Sequence, residues 1–186
     1  MSQHNIFTIS DIEMGKKDIF DDFKDEDQLI AFIKMVTNFP GEKTLILNGD
    51  TFDFLKMPYK DKFTHHITEI ISVWKIAQII KSYSKVFQAL HQLLNTREAE
   101  IYFIIGNHDL DIIWPKVQQE IKKKLNHHQK VHFTFTYDNP DLHIEHGNLV
   151  DYLYNYNLKK PFLKVKGKKV LNLPLASVAI IKYFID

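Results

Sequence analysis

Two apolar segments of the chain each end in a polar motif that contains glycine, and this pattern constrains the fold strongly. Residues 45–47 lead into Asn-Gly-Asp-Thr-Phe-Asp (48–53), and residues 101–105 lead into Gly-Asn-His-Asp (106–109). Short apolar runs of this kind are typical of buried strands. Open α/β sheets bind ligands beyond the carboxyl ends of their strands, where glycine lets the backbone turn sharply. The pattern therefore predicts an α/β protein whose polar side chains gather in one cleft.

The composition is that of an ordinary globular protein. The 186 residues are 45% hydrophobic and 25% charged, which suits a single domain over residues 1–186. The net charge is +1 and Arg97 is the only arginine, so we expect no nucleic-acid partner. The chain has no cysteine, which excludes thiolate metal sites and fits a reducing compartment. Because it shows neither a signal peptide nor a run of about 20 apolar residues, we expect a cytoplasmic protein without a transmembrane segment.

Apolar periodicity divides the chain into alternating strands and helices. Strands are predicted for residues 6–9, 44–47, 100–105, 131–136 and 142–145. Helices are predicted for residues 29–36, 64–95 and 114–125. The second of these helices has a weak point at Ser82-Tyr83-Ser84. Strands that alternate with helices favour an α/β domain.

Four successive strand ends carry side chains that suit a divalent metal ion. They are Asp11 with Glu13, Asp50 with Asp53, Asn107 with His108 and Asp109, and His146. Carboxylate, amide and imidazole groups are common ligands of such ions. Each motif alone also fits a turn or the start of a loop. Turn chemistry does not readily explain four such strand ends in one chain, so their joint occurrence predicts a metal site.

In these motifs the chain resembles the calcineurin-like metallophosphoesterase family. The family pattern is Asp-x-His, Gly-Asp-x-x-Asp, Gly-Asn-His-Asp/Glu, His-Gly and lastly Gly-His-x-His. The chain has Asp-Ile-Glu (11–13), Gly-Asp-Thr-Phe-Asp (49–53), Gly-Asn-His-Asp (106–109) and His-Gly (146–147) in the same order. The second motif is most similar to the branch that contains UDP-2,3-diacylglucosamine pyrophosphatases.

The resemblance implies a fold and a metal centre. The fold is an αββα sandwich, in which mixed sheets are flanked by helices. The centre holds two divalent ions, and Asp50 would bridge them. Asp11 would bind the first ion, whereas Asn107 and His146 would bind the second. Two cations about 4 Å apart can clamp a phosphoryl group and lower the pKa of a bound water.

The resemblance also implies two catalytic residues beside the metal ions. His108 would face the substrate phosphate, where it would stabilise charge or protonate the leaving oxygen. Asp109 would orient that imidazole. A histidine held by an acidic neighbour can act as a general acid near neutral pH.

Two departures from the family pattern affect the metal ions. Glu13 stands where the family has histidine, and we expect its carboxylate to bind the first ion together with Asp11 and Asp50. This oxygen-rich set favours Mn²⁺, with Mg²⁺, Fe²⁺ and Zn²⁺ as alternatives. No Gly-His-x-His segment follows His146. We therefore expect a C-terminally truncated form of a longer protein; the alternative is an incomplete site that binds metal weakly.

The sequence predicts a metal-dependent phosphoesterase that cleaves a phosphomonoester, phosphodiester or pyrophosphate bond. Its substrate would be a phosphorylated small molecule or a lipid-linked phosphate. An alternative from another class is a catalytically weak relative that binds a phosphorylated ligand or a protein partner. A lysine-rich segment (159–169) precedes the largely apolar residues 170–185. This segment is either a lid that contacts an anionic membrane or an acylated substrate, or a surface loop before a packed helix.

Overall fold

A parallel sheet of four strands, in the order β1-β2-β3-β4, forms the centre of the computed structural model, which describes residues 4–127 and 129–184. The strands are β1 (His4–Ile9), β2 (Glu42–Asn48), β3 (Ala99–Ile104) and β4 (Val131–Thr134). Ile9 pairs with Leu47, and Asn48 pairs with Ile104, so the carboxyl ends of the first three strands meet at one edge. The predicted α/β class is confirmed.

Helices cover one face of this sheet. They are α1 (Glu26–Asn38), α2 (Glu69–Ser82), α3 (Ser84–Leu94) and α4 (Pro115–Leu125). Leu45, Leu47 and Phe103 alternate with outward residues along their strands, and they join the buried residues of all four helices in one hydrophobic cluster. The helical side of the sheet is therefore the main core.

The predicted weak point between α2 and α3 is confirmed at Tyr83. This side chain is buried, and its hydroxyl donates a hydrogen bond to Oδ2 of Asp21 at 2.8 Å. The start of α2 differs from the prediction, because Thr68 is extended and the helix begins at Glu69. The buried residue Ile67 accepts a backbone hydrogen bond from Leu171 at 2.9 Å, so residues 64–68 pack against a later strand instead of extending the helix.

A β-hairpin covers part of the opposite face of the sheet. It consists of β5 (Thr136–Asn139) and β6 (Leu142–Glu145), which pair antiparallel. Tyr137 and Ile144 of the hairpin pack on Ile46 and Ile104 of the sheet. The predicted strand 131–136 is divided because the chain bends at Phe135, which packs against the main cluster. After β6 the chain arrives back at the carboxyl edge of the sheet.

The second mixed sheet expected from the sandwich does not form within residues 4–127 and 129–184. The strands outside the parallel sheet make two separate hairpins, because each pairs only with its sequence neighbour. The second hairpin is β7 (Phe162–Val165) with β8 (Lys168–Leu171), so the lysine-rich segment is largely a hairpin rather than a loop. A short helix, α5 (Leu175–Ala179), and a π-helical turn, Ile180–Phe184, follow. None of the described helices is long and apolar enough to cross a membrane.

Candidate metal centre

The loops that follow β1 and β2 run side by side at the carboxyl edge of the sheet. The backbone N–H of Asp11 donates to the carbonyl of Gly49 at 3.2 Å, and that of Glu13 donates to the carbonyl of Asp50 at 2.8 Å. These bonds continue the contact between the two parallel strands into the loops. As a result, Asp11 and Glu13 lie on either side of Asp50.

Three of the predicted ligands adopt a left-handed backbone conformation. The φ angle is 54° at Asp11, 54° at Glu13 and 49° at Asp50. Such angles are uncommon for residues other than glycine, and the surrounding contacts must offset their cost in free energy. Residues of this kind are concentrated at functional sites. Here the strain falls on three neighbouring carboxylates.

The loop after β2 is fixed by aromatic side chains on both sides of Asp53. The ring of Phe52 is fully buried and stacks on Phe87 and Phe103, with centroid distances of 6.1 and 5.8 Å. Phe54 is also fully buried, and its ring meets that of Phe52 edge-on at 6.0 Å. Because both rings are anchored in the core, the carboxylate of Asp53 is held at the edge of the site.

Two groups of donor atoms share the carboxylate of Asp50. The first, here named the Asp11 group, consists of Asp11, Asp50 and His146; the second, named the Glu13 group, consists of Glu13, Asp50 and His108. Within each group, one ligand atom from each residue lies within 4.8 Å of the others. Asp50 is only 3% exposed. A buried carboxylate common to two donor groups is the arrangement that a bridging ligand requires.

His146 is oriented by a hydrogen bond on the side of its ring away from Asp50. Its Nδ1 lies 3.0 Å from the carbonyl oxygen of Asn48, and its Nε2 lies 3.2 Å from Oδ2 of Asp50. When Nδ1 carries a proton, it donates to the Asn48 carbonyl, and Nε2 is then the nitrogen that faces Asp50 and can bind an ion. Burial disfavours the imidazolium, but the Asp50 carboxylate outweighs burial and raises the pKa of His146 to about 9.

Two glycines permit the close approach of these side chains. A Cβ atom added to Gly49 would overlap the ring of His146, and one added to Gly106 would overlap the carboxylate of Asp50. Gly49 also has a φ of 79°, which side chains disfavour. The glycines of both sequence motifs are therefore required by the geometry of the site.

The imidazole of His108 lies next to Asp53. Its Nδ1 is 3.3 Å from Oδ1 of Asp53 and 4.0 Å from Oε2 of Glu13. The backbone N–H of His108 donates to Oδ1 of Asp50 at 2.8 Å. Burial lowers the pKa of the imidazole, but the hydrogen bond and charge of Asp53 outweigh burial and raise it to about 9. Asp53 is therefore the acidic partner of this histidine.

The prediction that Asp109 orients the His108 imidazole is wrong. Asp109 is fully buried, and its two oxygens accept backbone hydrogen bonds from Gly106 at 2.7 Å and Thr51 at 2.8 Å. Burial and the neighbouring Asp50 charge raise the pKa of Asp109. The carboxylate ties the loop after β3 to the loop after β2, which is a structural function. The role that the resemblance implied for Asp109 is filled by Asp53, because the side chains of His108 and Asp109 have different partners.

Asn107 lies in the same loop, between the two residues whose backbone N–H groups bind Asp109 and Asp50. Its side chain is 8% exposed. This position is adjacent to the Asp50 carboxylate, as a metal ligand requires. The assignment of its amide to the ion that His146 binds stays a prediction. The expected division of the other ligands differs from the structure, because Asp11 shares a donor group with His146 instead of with Glu13.

Lys56 is a charged neighbour of the site that the sequence did not indicate. Its ammonium lies 3.1 Å from Oε2 of Glu13, 3.1 Å from Oδ2 of Asp53 and 2.7 Å from Oδ2 of Asp22. Burial lowers the pKa of this lysine, but the three carboxylates outweigh burial and raise it above its ordinary value. The only sequence signal is the spacing of Lys56 three residues after Asp53.

A buried polar cluster supports the loop after β2 from the core side. The ammonium of Lys75, which is 2% exposed, donates to the carbonyl of Phe54 at 2.6 Å. The hydroxyl of Ser72 donates to Asp111 at 2.6 Å in the same helix–loop contact. Burial lowers the pKa of Lys75, and the charges of Asp111 and Asp53 partly offset that effect. Helical spacing could have found Lys75, since it stands four residues before the buried Ile79.

The chain was compared with protein-family models, with curated proteins and with solved structures, and none of these comparisons found a match. The motifs and the geometry at the carboxyl edge of the sheet both centre on Asp50. This residue follows β2 and contacts residues from the loops after β1, β3 and β6.

Proposed function

We propose that this chain is a metal-dependent phosphoesterase of the calcineurin-like metallophosphoesterase type. The observation that carries the proposal is the buried Asp50 carboxylate shared by two donor groups. The order of the motifs and the parallel sheet support it. The αββα sandwich belongs to the proposal only through its first sheet, because the described residues form no second mixed sheet.

The donor atoms fit divalent ions. Asp11, Asp50 and His146, together with the amide of Asn107, would hold one ion, and Glu13 and Asp50 offer oxygens for a second. Oxygen donors outnumber nitrogens, so Mn²⁺ is favoured, with Mg²⁺, Fe²⁺ and Zn²⁺ as alternatives. When bound, such an ion supplies charge that polarises a phosphoryl oxygen and lowers the pKa of a bound water.

His108 would protonate the leaving oxygen of the substrate. It is held at the rim of the Glu13 group by its own backbone N–H on Asp50 and by Asp53. The Asp53 carboxylate keeps the imidazole protonated at neutral pH, which is the state that a general acid requires. Asp109 accepts hydrogen bonds from the backbone N–H groups of Thr51 and Gly106, and in this way it fixes the loops that carry Asp50 and His108.

The proposed substrate is a phosphorylated small molecule or a lipid-linked phosphate with a phosphomonoester, phosphodiester or pyrophosphate bond. A groove of about 780 Å³ lies between the start of α2 and β8. Apolar side chains such as Ile71 and Trp114 line it beside Lys116, Lys168 and Lys169. Such a surface suits an amphiphilic anion, and contact of the β7–β8 hairpin with an anionic membrane is part of this proposal.

A second candidate function is that of a catalytically weak relative, which binds a phosphorylated ligand or a protein partner. The ion pair between Lys56 and Glu13 favours it, because the Glu13 oxygen is engaged by an ammonium. Hydrolysis of a phosphodiester separates this candidate from the enzyme, since a pure binder turns over no substrate.

The proposal is tested by replacing Asp50 with asparagine. Asn also adopts left-handed φ angles, so Asp50→Asn should keep the backbone while it removes the shared charge. We expect Mn²⁺-dependent turnover of bis-p-nitrophenyl phosphate to be abolished, with an unchanged circular dichroism spectrum. Asp141→Asn, in the exposed turn of the β5–β6 hairpin, is the matched control and should retain full turnover. Unchanged turnover in a natively folded Asp50→Asn variant contradicts the proposal.

A further inference from the structure

Lys56 lies at one end of the candidate metal centre, in contact with three carboxylates. Its Nζ is 3.1 Å from Oε2 of Glu13 and 3.1 Å from Oδ2 of Asp53. Asp22, at 2.7 Å, is the third. The Lys56 side chain is 23% exposed, so much of its stem is packed against the protein. Three carboxylates therefore hold the Lys56 ammonium in place at the edge of the site.

We propose that the Lys56 ammonium is the resident cation of the Glu13 group, so that the centre takes one divalent ion per chain, at the Asp11 group. This inference rests on the proposed metal-dependent function and specifies the composition of that same site. It assigns to Lys56 the charge that a second ion supplies in a dinuclear centre. It also replaces the expectation of two ions with a stoichiometry that can be measured.

Lys56 and a divalent ion would compete for the carboxylate of Glu13. A divalent ion in the Glu13 group would bind a carboxylate oxygen of Glu13 at about 2.0–2.2 Å. The Lys56 ammonium already lies 3.1 Å from Oε2 of that residue. Two cations on one carboxylate repel each other, so the ammonium disfavours an ion in this group unless it is displaced. Displacement would separate Lys56 from Asp53 and Asp22 as well, and these contacts oppose entry of the ion.

Glu13 also changes the local charge of the site. Histidine at position 13 would be a neutral donor, whereas Glu13 adds a negative charge beside Asp50 and Asp53. Like charges this close disfavour each other unless a cation lies between or beside them. Lys56 is that cation, because it contacts Glu13 and Asp53 directly. The charge of Lys56 therefore offsets the charge that Glu13 adds to the site.

The Asp11 group differs from the Glu13 group in its ion pairs. Within residues 4–127 and 129–184, neither Asp11 nor Asp50 forms an ion pair with a lysine. Nε2 of His146 faces Asp50, and its other nitrogen is bound to Asn48. A metal ion can replace the proton on Nε2 without displacing any other side chain. The two groups that share Asp50 are thus unequal, and only the first is open to an ion.

The test is the stoichiometry of Mn²⁺ binding to the whole chain. Bound manganese is counted by elemental analysis after gel filtration and by isothermal titration. Electron paramagnetic resonance at low temperature then shows whether the ions are isolated or spin-coupled. We expect one isolated ion per wild-type chain, and two coupled ions in Lys56→Met, which removes the ammonium but keeps a long side chain.

Two variants serve as controls. Lys56→Arg keeps the positive charge and should bind one ion. Lys130→Met removes a lysine at the opposite edge of the sheet, where its Nζ donates to the carbonyls of Leu94 at 2.9 Å and Thr96 at 2.8 Å, and should also bind one ion. If Lys56→Met unfolds because three carboxylates lose their cation, the double variant Asp22→Asn/Lys56→Met removes one of them as well. That double variant should bind two ions.

The outcomes separate this inference from the proposed function. Two ions in the wild type, or one ion in both the wild type and Lys56→Met, overturn the role of Lys56 but leave the metal centre in place. Wild-type protein that binds no Mn²⁺ at all overturns the proposed metal-dependent function itself.

Discussion

Nδ1 of His108 lies 3.3 Å from Oδ1 of Asp53, and this pair connects the loop after β3 to the loop after β2. Asp53 is 2% exposed and is held between two phenylalanines of the core. The Asp53 carboxylate is therefore held in a fixed position beside the His108 imidazole. His108 is positioned by a rigid partner, as a group that transfers a proton to a substrate must be.

The first prediction concerns His108 itself. His108→Ala should lower kcat for bis-p-nitrophenyl phosphate by about 10²–10⁴-fold, the range expected for the loss of a positioned acid. The amount of bound Mn²⁺ should change little, because the Asp11 group keeps its three donors. Elemental analysis and steady-state kinetics measure both quantities. Loss of an ion in this variant would show that His108 is a ligand.

The second prediction concerns pH. In the folded protein without added ions, the pKa of His108 is about 9, above the ordinary value of about 6.5. The folded state therefore favours the protonated ring. The stability that this contributes is fully present below pH about 6.5 and is lost as the pH rises through about 9. Asp53→Asn should lower the pKa of His108 and destabilise the protein more at pH about 6 than at pH about 10.

Proton NMR titration of the histidine rings and urea unfolding at the two pH values measure these effects. Asp138→Asn is the matched control, since Asp138 raises the pKa of the exposed His143 on the β5–β6 hairpin. It should move the titration of His143 and leave that of His108 in place. An identical His108 titration in the wild type and in Asp53→Asn would contradict the assignment of Asp53 as its partner.

The third prediction concerns Asp109. Its two oxygens accept from the backbone N–H groups of Gly106 and Thr51, so Asp109→Asn places an amide donor against a donor. We expect the free energy of unfolding to fall by about 1–3 kcal/mol, the cost of a buried group without a partner. Urea unfolding followed by tryptophan fluorescence measures it. The exposed Asp141→Asn should change stability by less than about 0.5 kcal/mol. Full stability with a large loss of kcat would instead support a catalytic role.

Local sequence patterns predicted the elements that build the site. Both β2 and β3 contain an apolar run, and a glycine follows each strand within two residues. The carboxyl ends of neighbouring parallel strands lie at the same edge of a sheet. For that reason Asp50 and His108 could be assigned to one cleft before any contact was known. The helix break at Tyr83 followed from periodicity in the same way.

Contacts between distant side chains could not be predicted in this way. The family resemblance implied Asp109 as the partner of His108, but the direction of each side chain depends on loop dihedral angles that the sequence does not display. The left-handed conformation of Glu13 and the reach of Lys56 to three carboxylates are further examples. The lack of a second mixed sheet within residues 4–127 and 129–184 is another, since strand pairing beyond β4 depends on tertiary contacts.

The fourth prediction concerns Glu13, the residue at which the chain departs from the family pattern. Glu13→His replaces a carboxylate with a neutral nitrogen donor and deprives Lys56 of one of its three partners. With the hold on Lys56 weakened, we expect the Glu13 group of the variant to admit a second ion. Imidazole donors suit Zn²⁺ better than carboxylates do, so the variant should prefer Zn²⁺ over Mn²⁺ by on the order of tenfold more than the wild type.

Competitive titration of Mn²⁺ against Zn²⁺ measures this preference in both proteins. Glu98→His, on an exposed loop before β3, adds a histidine away from the site and should leave the preference unchanged. An equal gain of Zn²⁺ binding in the control would mean that any added histidine suffices. Identical affinities and stoichiometries in the wild type and Glu13→His would show that the Glu13 group admits no ion even when position 13 carries a neutral donor, which contradicts this prediction.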